Sequence, residues 1–491
     1  MTVALSDAPA LAAEPDAGDA IPRTAPVTLL IVGFGLLITA MILAGRSGLV
    51  RLAYPLGAVA IGAWLYRRGP GGYIEFSWWL WHVSPGIRRI VDYRLGAYDP
   101  QNPMSLTPFL VSGLALFGVL QRLPELRRTR MVPWAVAAVA VLYGYFVGFL
   151  RVGPMAATHA LITWMVPLIF GLYCALSWRR YPEAEAGMRR AFMWGSLVLA
   201  VYGIFQFLFP PEWDRFWMVS SGMYSVGRAF PYEVRVFSLV NAPLPFATIL
   251  VAGLFLQLAG HGLGRAGSLA LGSIALLLSL VRSVWLAGVI GLLVYLAALP
   301  RKSVKPMLVA AMLTIVSMAV VPFVVPERIA GPSIRIVQDR LLTFTDLSHD
   351  ISYKDRASFL GSITDVVLNE PLGHGLGSTG VSSTLGGGSV ASIRDFDNGI
   401  FAVLYSLGWV AGVAFLIAVI SIVVLSLPRR EALYDSTAKA ARAVAFASLI
   451  LAFGANVFEG VSAAVLWSFA GLVVAAHRWT GSIHDHEEAG A

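Results

Sequence analysis

The sequence predicts an all-α fold: a polytopic helical membrane protein of about 12–14 transmembrane helices with a long, partly helical outer loop. Three observations predict it. The 491 residues are 57% hydrophobic and only 13% charged, too little charge to cover a soluble surface of that size. Mean hydropathy is +0.73, and apolar runs of about 20 residues recur along nearly the whole chain. The polar breaks between those runs alternate between basic and non-basic, the signature of a chain crossing a bilayer repeatedly.

In chain order, residues 1–26 (MTVALSDAPALAAEPDAGDAIPRTAP) lack the basic start and apolar centre of a signal peptide and read as a disordered tail. Spanning runs begin near Val27, Gly48, Leu106, Val132, Ala156, Ala191, Phe237, Ala266, Ser283, Pro306, Asn398, Ala441 and Gly460. This divides the chain into transmembrane helices over 27–326, a large periplasmic loop over 327–396, C-terminal transmembrane helices over 397–478 and a cytoplasmic tail over 479–491. Four breaks are short and basic: RLPELRRTR (122–130), WRRYPEAEAGMRR (178–190), RKSVK (301–305) and PRREALYDSTAKAAR (428–442). They are expected to face the cytoplasm. The breaks around Arg151–Pro154, 210–234, Arg282 and 327–396 then face outward. Residues 67–100 are basic but out of phase; FSWWLW within them reads as an interfacial aromatic anchor or a short re-entrant piece. The side of the N-terminus stays open.

Composition also excludes functions. The net charge of +8 follows from topology and needs no nucleic-acid partner. The single cysteine, Cys174, permits no intrachain disulfide. The eight histidines show no ligand spacing, so neither a metal nor another cofactor is expected.

Arg282 poses the sharpest question. It is the one charge in the 34 residues from Ala266 to Leu299. One helix of that length would run about 50 Å against a hydrocarbon core of about 30 Å, so the run is expected to fold back near Arg282. A charge at membrane depth costs roughly 2.5–3.5 kcal/mol on insertion scales and requires water, an acid or an anion. Arg235 precedes a span carrying Asn241, Pro243 and Pro245, prolines expected to break helix hydrogen bonds at depth. It either snorkels from a helix end or serves a site. Residues 334–368 have amphipathic helical spacing and include Arg356, a further candidate for phosphate or glycan contact. NEPLGHGLGSTGVSSTLGGGSV (369–390) mimics a dinucleotide fingerprint but follows no strand; a mobile lid or a close-approach backbone loop fits it. Asp397 and Asn398 either cap the following span or place a carboxylate at a cavity mouth. Glu459 is a second outward acid, able to pair with an arginine. Trp213, Trp217 and Tyr224 serve as interfacial anchors or sugar-stacking rings.

Four pieces in order carry a resemblance: Arg235 with NAPLPF, VRSVWLAG, EPLGHGLGSTG and DNGIFAVLYSLGWVAG. Together they resemble the O-antigen ligase and Wzy-type polysaccharide polymerase superfamily, and SWWLWHVSPGIRRIVDYRLG is similar to its exopolysaccharide polymerases. The resemblance implies a metal-independent glycosyltransferase at the outer face of the bacterial cytoplasmic (inner) membrane. Its donor would be a glycan on undecaprenyl diphosphate, and its acceptor a lipid-linked repeat unit, or lipid A core in a ligase. Flippase and chain-length regulator proteins are the implied partners. Arg235 and Arg282 match the two arginines assigned to the donor diphosphate. Asp397, followed by Asn398, stands where the family's ligases carry a histidine as acceptor base, which favours a polymerase over a ligase. A transporter or flippase is the rival class, and would require an inverted repeat that the chain does not show.

Overall fold

The structure, a computed structural model, describes residues 25–127, 131–260, 264–299, 304, 308, 367, 369–385, 398–425 and 435–489. Among these every regular element is helical, so each carries its own backbone hydrogen bonds, as an apolar surrounding demands. The chain forms two compact units, residues 1–46 and 47–491. The first contributes α1 (Ala25–Leu43), which has no charged residue.

The second unit holds α2 (Ser47–Arg68), α3 (Pro70–Leu95), α4 (Thr107–Gly113), α5 (Ala115–Gln121), α6 (Val132–Arg151), α7 (Pro154–Leu176), α8 (Tyr181–Leu208) and α9 (Glu212–Ser220). After them come α10 (Pro243–Ala259), α11 (Gly264–Leu278), α12 (Arg282–Ala297), α13 (Gly380–Ser383), α14 (Gly399–Leu425), α15 (Ser436–Leu451) and α16 (Gly460–Ala489). Seven helices among the described residues are long and apolar enough to cross a membrane, and α1, α10, α11 and α12 are shorter apolar helices. This is the all-α polytopic fold the composition predicts. The expected span near Pro306 and most of the loop over 327–396 lie outside the described residues.

The described parts of three basic breaks, 122–127, 178–190 and 435–442, gather at one end of the second unit. Glu125 accepts from Arg478 at 2.9 Å and from Arg179 at 3.1 Å; Arg122 donates to the Leu176 carbonyl at 2.6 Å. Arg180 donates to the Arg68 carbonyl at 3.3 Å, and Thr437 to Glu185 at 2.7 Å. At the opposite helix ends Arg51 meets Asp99, Tyr93 meets Glu212 and Arg151 meets Glu370.

The structure corrects the reading of FSWWLW. These residues lie in the middle of α3, a continuous 26-residue helix with Trp78 and Trp81 both buried. It is neither an interfacial anchor nor a re-entrant piece. Its charges find partners inside the bundle: Glu75 with Arg190 at 2.8 Å, Arg88 with Asp92 at 3.3 Å, and Arg89 with Asp214 at 2.9 Å. The close seat against α8 depends on Gly71 and Gly187, because a Cβ at Gly187 would stand 2.1 Å from the Gly71 carbonyl oxygen.

A second correction concerns the prolines after Arg235. The helix begins at Pro243, not Phe237, and Pro243 and Pro245 fall in its first turn. There no intrahelical N–H partner is lost, so they start a helix and break none.

That packing predicts a sign. In an open helix interior Gly→Ala stabilises by about 1 kcal/mol. Gly187→Ala should instead cost about 1–3 kcal/mol by overpacking, seen as a lower unfolding midpoint in detergent. Gly35→Ala, where a Cβ meets nothing within 4 Å, should move the midpoint up or leave it unchanged.

Candidate active site

The run from Ala266 to Leu299 does break before Arg282. α11 ends at Leu278, Leu280 takes φ +55°, and Arg282 is the first residue of α12. The two helices run in opposite directions along α10: Arg265 at the start of α11 donates to the Gly260 carbonyl just after α10, and Leu278 at its end accepts from Val236 ahead of α10, whereas Gly288 and Gly291 of α12 face Val251 and Phe255 in turn. The expected fold-back is therefore present, with α10 packed against both arms.

A helix that ends in apolar surroundings leaves carbonyls needing donors. Here the loop after α9 supplies them. The Val236 N–H donates to the Leu278 carbonyl at 3.0 Å, and the Arg235 guanidinium to the Leu280 carbonyl at 3.3 Å. Trp285 Nε1 donates to the Leu276 carbonyl at 3.0 Å. Arg235 thus lies at the carbonyl end of α11 and Arg282 at the amide end of α12, two residues past the carbonyl Arg235 holds. Both are half-buried.

The loop bearing Arg235 is itself held from below. Gln206 Oε1 accepts from the N–H groups of Phe237 and Ser238 at 3.2 and 2.9 Å, and Gln206 Nε2 donates to Asp214 at 2.6 Å. Arg89 donates to the carbonyls of Ser238 and Val240, both at 2.5 Å, and pairs with Asp214. Tyr202 donates to Asp214 at 2.9 Å and accepts from Trp213 Nε1 at 2.7 Å. Arg89, Asp214 and Gln206 were not among the sequence candidates. For Arg89 the signal was present: charge inside GIRRIVD, in a chain with little charge to spare.

Asn398 joins the same neighbourhood through the turn after α15. Its Oδ1 accepts from the N–H groups of Ile400 and Phe401 at 2.9 and 3.2 Å, capping α14, and its Nδ2 donates to the Phe453 carbonyl at 3.1 Å. Gly454, the next residue, lies against Ser283 of α12, where an added Cβ would meet the Ser283 Cβ at 3.2 Å. Glu459 accepts from Asn456 at 3.1 Å in the same turn. Arg235 thus contacts the chain two residues before Arg282, and the turn that Asn398 holds lies against the residue after Arg282, while Asp397 and Arg356 lie outside the described residues.

The glycine-rich stretch is not a lid in its described part. Residues 370–379 are seated between α6, α7 and α14: His374 and Gly375 donate to the carbonyls of Tyr405 and Ser406 at 2.8 and 3.0 Å, and Leu376 to that of Gly144 at 2.8 Å. α14 is interrupted at Gly408 (φ +72°), and the Trp409 N–H donates to Pro371 at 2.9 Å. A Cβ at Gly375 would meet the Gly148 nitrogen at 2.1 Å, so this is the close-approach loop of the two alternatives. His374 stacks on Tyr405 with ring centroids 4.0 Å apart, and burial holds its imidazole below the ordinary value.

Of the candidate sugar-stacking rings, Trp217 is buried with Met218, Val226, Val234 and Phe237 and reaches neither a sugar nor an interface. Among the described residues no group of three or more His, Cys, Asp or Glu is placed to hold a metal ion.

The cap geometry separates two substitutions. Asn398→Ala should cost about 1 kcal/mol of stability, read by chemical or thermal unfolding. Asn398→Asp keeps the acceptor for Ile400 and Phe401 and should lose less; equal losses would assign the cost to the Phe453 contact.

No curated protein matches the chain. Residues 267–416 match the family model described as O-antigen ligase, Wzy_C. The matched stretch starts in α11 and ends in α14, and so contains Arg282 and Asn398 and omits Arg235 and the Arg89–Asp214 pair. Over residues 267–416 the chain is similar to the O-antigen ligase family, and this supports its resemblance to the O-antigen ligase and Wzy-type superfamily.

Proposed function

We propose that this protein is a polysaccharide polymerase. It transfers a growing glycan from undecaprenyl diphosphate onto a lipid-linked repeat unit at the outer, periplasmic face of the inner membrane. At family level, glycan transfer of the O-antigen ligase or polymerase type follows from the matched domain. The observation that supports the finer reading is that Arg235 holds the Leu280 carbonyl in the break at Ser279–Val281 and Arg282 opens the helix just after it. Two guanidinium groups and the amide end of α12 suit a diphosphate, binding through forked, charge-assisted hydrogen bonds.

In the reaction, the acceptor hydroxyl oxygen attacks the anomeric carbon of the donor. The bond from that carbon to the diphosphate oxygen breaks, and the diphosphate leaves with the electron pair. Negative charge grows on the leaving oxygen, where Arg235 and Arg282 stabilise it without a metal. The acceptor proton passes to the Asp397 carboxylate. The acidic residue at this position, where ligases carry histidine, favours polymerisation. The ligase alternative keeps the same donor chemistry and changes only the acceptor.

Purified protein given an undecaprenyl-diphosphate-linked repeat unit without added metal should produce a ladder of longer glycans. Arg282→Lys keeps the charge but not the fork and should lose about 10-fold; Arg282→Ala and Arg235→Ala should each lose about 100-fold or more. Full activity of Arg282→Ala would overturn the reading. Deleting the gene distinguishes the acceptors: a polymerase leaves single repeats, a ligase leaves long undecaprenyl-linked chains.

A further inference from the structure

We infer that Arg89, paired with Asp214, is the positioning residue that sets where Arg235 stands for glycan transfer. The inference rests on the proposed function for its kinetic part and on geometry alone for its placement part. Arg89 lies on α3 and Asp214 on α9, and both side chains are 0% exposed with 2.9 Å between Nε and Oδ1. The remaining donors of Arg89 go to the chain just after Arg235: Nη2 to the Ser238 carbonyl and Nη1 to the Val240 carbonyl. Its guanidinium carbon lies 4.9 Å from the Phe237 ring centroid and 5.6 Å from that of Trp217. One side chain thus touches Phe237, Ser238 and Val240, and through Asp214 it also meets Gln206, which holds the amides of the same segment.

The segment needs such a clamp. Ser238 takes φ +53°, a conformation that a side chain other than glycine adopts only when its surroundings impose it. From Val236 the chain reaches the Leu278 carbonyl, and from Arg235 the Leu280 carbonyl. A shift of residues 237–240 therefore moves Arg235 relative to Arg282. A buried ion pair is a poor way to gain stability, since well-packed apolar groups of similar volume commonly do as well or better. It is a good way to specify one arrangement of a loop. A misplacement of about 1 Å can cost on the order of 100-fold in rate.

The test uses full-length protein. The double variant R89M/D214L removes both charges together and avoids stranding either; Arg89→Lys keeps the pair with Asp214 and fewer carbonyl contacts. Kinetics are read with the lipid-linked repeat unit. Placement is read without activity, by the rate at which a charged maleimide labels Arg235→Cys in a Cys174→Ala background; Cys174 is the chain's single cysteine and is buried.

The expected result is a folded double variant with its unfolding midpoint within a few degrees of the parent. Its kcat should fall at least 10-fold with KM changed less than 3-fold, Arg89→Lys should recover part of the loss, and the labelling rate at position 235 should change several-fold. A folded double variant with parental kcat and parental labelling overturns the inference. If the double variant does not fold, Gln206→Met, which removes the contacts to the Phe237 and Ser238 amides and to Asp214 but keeps the Arg89–Asp214 pair, takes its place under the same two criteria. If the parent makes no glycan from this donor, the functional reading fails while the labelling result still decides the placement.

Discussion

The structure depends on how an interrupted helix satisfies its backbone away from water. Between Leu278 and Arg282 the apolar run stops being helical, and its last carbonyls lose their intrahelical donors. In an apolar surrounding each such group left alone costs on the order of several kcal/mol. The Val236 amide, the Trp285 indole and the Arg235 guanidinium fill that need. The break is thereby inseparable from the loop that serves it, and the loop from the helices beneath.

That dependence propagates inward. The segment 235–240 can serve α11 only if its own polar groups are met, and Gln206 and Arg89 meet them. Arg89 in turn requires an anion, because an ionised group in a low-dielectric interior carries a penalty of several kcal/mol. Asp214 supplies it. Asp214 then accepts from Tyr202 and Gln206, so the chain of requirements closes on itself. Five elements, α3, α8, α9, the loop and α11, are thus fixed by one polar network in an otherwise apolar bundle.

How much of this was legible in sequence depends on the range of the interaction. Apolar run length placed most helices, and the length of Ala266–Leu299 located the fold-back at Arg282, since both follow from local composition. α3 was misjudged because Glu75, His82, Arg88, Arg89 and Asp92 make it too polar to read as a buried helix. Its partners Arg190 and Asp214 lie more than 100 residues away, and no local pattern announces them. The prolines at 243 and 245 were misread for a related reason: whether a proline breaks or begins a helix depends on where the preceding chain goes. Arg235, Arg282 and Asn398 were legible as isolated polar residues beside apolar spans. That Arg235 and Asn398 reach the chain on either side of Arg282 was not, because it runs through Leu280, Phe453 and Gly454, residues with no chemistry to mark them.

The two arginines are not equivalent, and the helix ends explain why. Arg235 sits at the carbonyl end of α11, where a cation is favoured by the helix dipole and has a carbonyl to hold. Arg282 sits at the amide end of α12, where the same dipole disfavours a cation by roughly 0.3–1 kcal/mol. An anion arriving at the break would meet positive potential from both Arg282 and the α12 amides, and its binding would relieve the unfavourable placement of Arg282. In a transfer reaction whose leaving group gains charge, the residue placed unfavourably before that charge develops contributes more to the difference between ground state and transition state. Arg235 is therefore the residue that joins the break to the fold, and on the proposed function Arg282 is the one that gains most when an anion arrives.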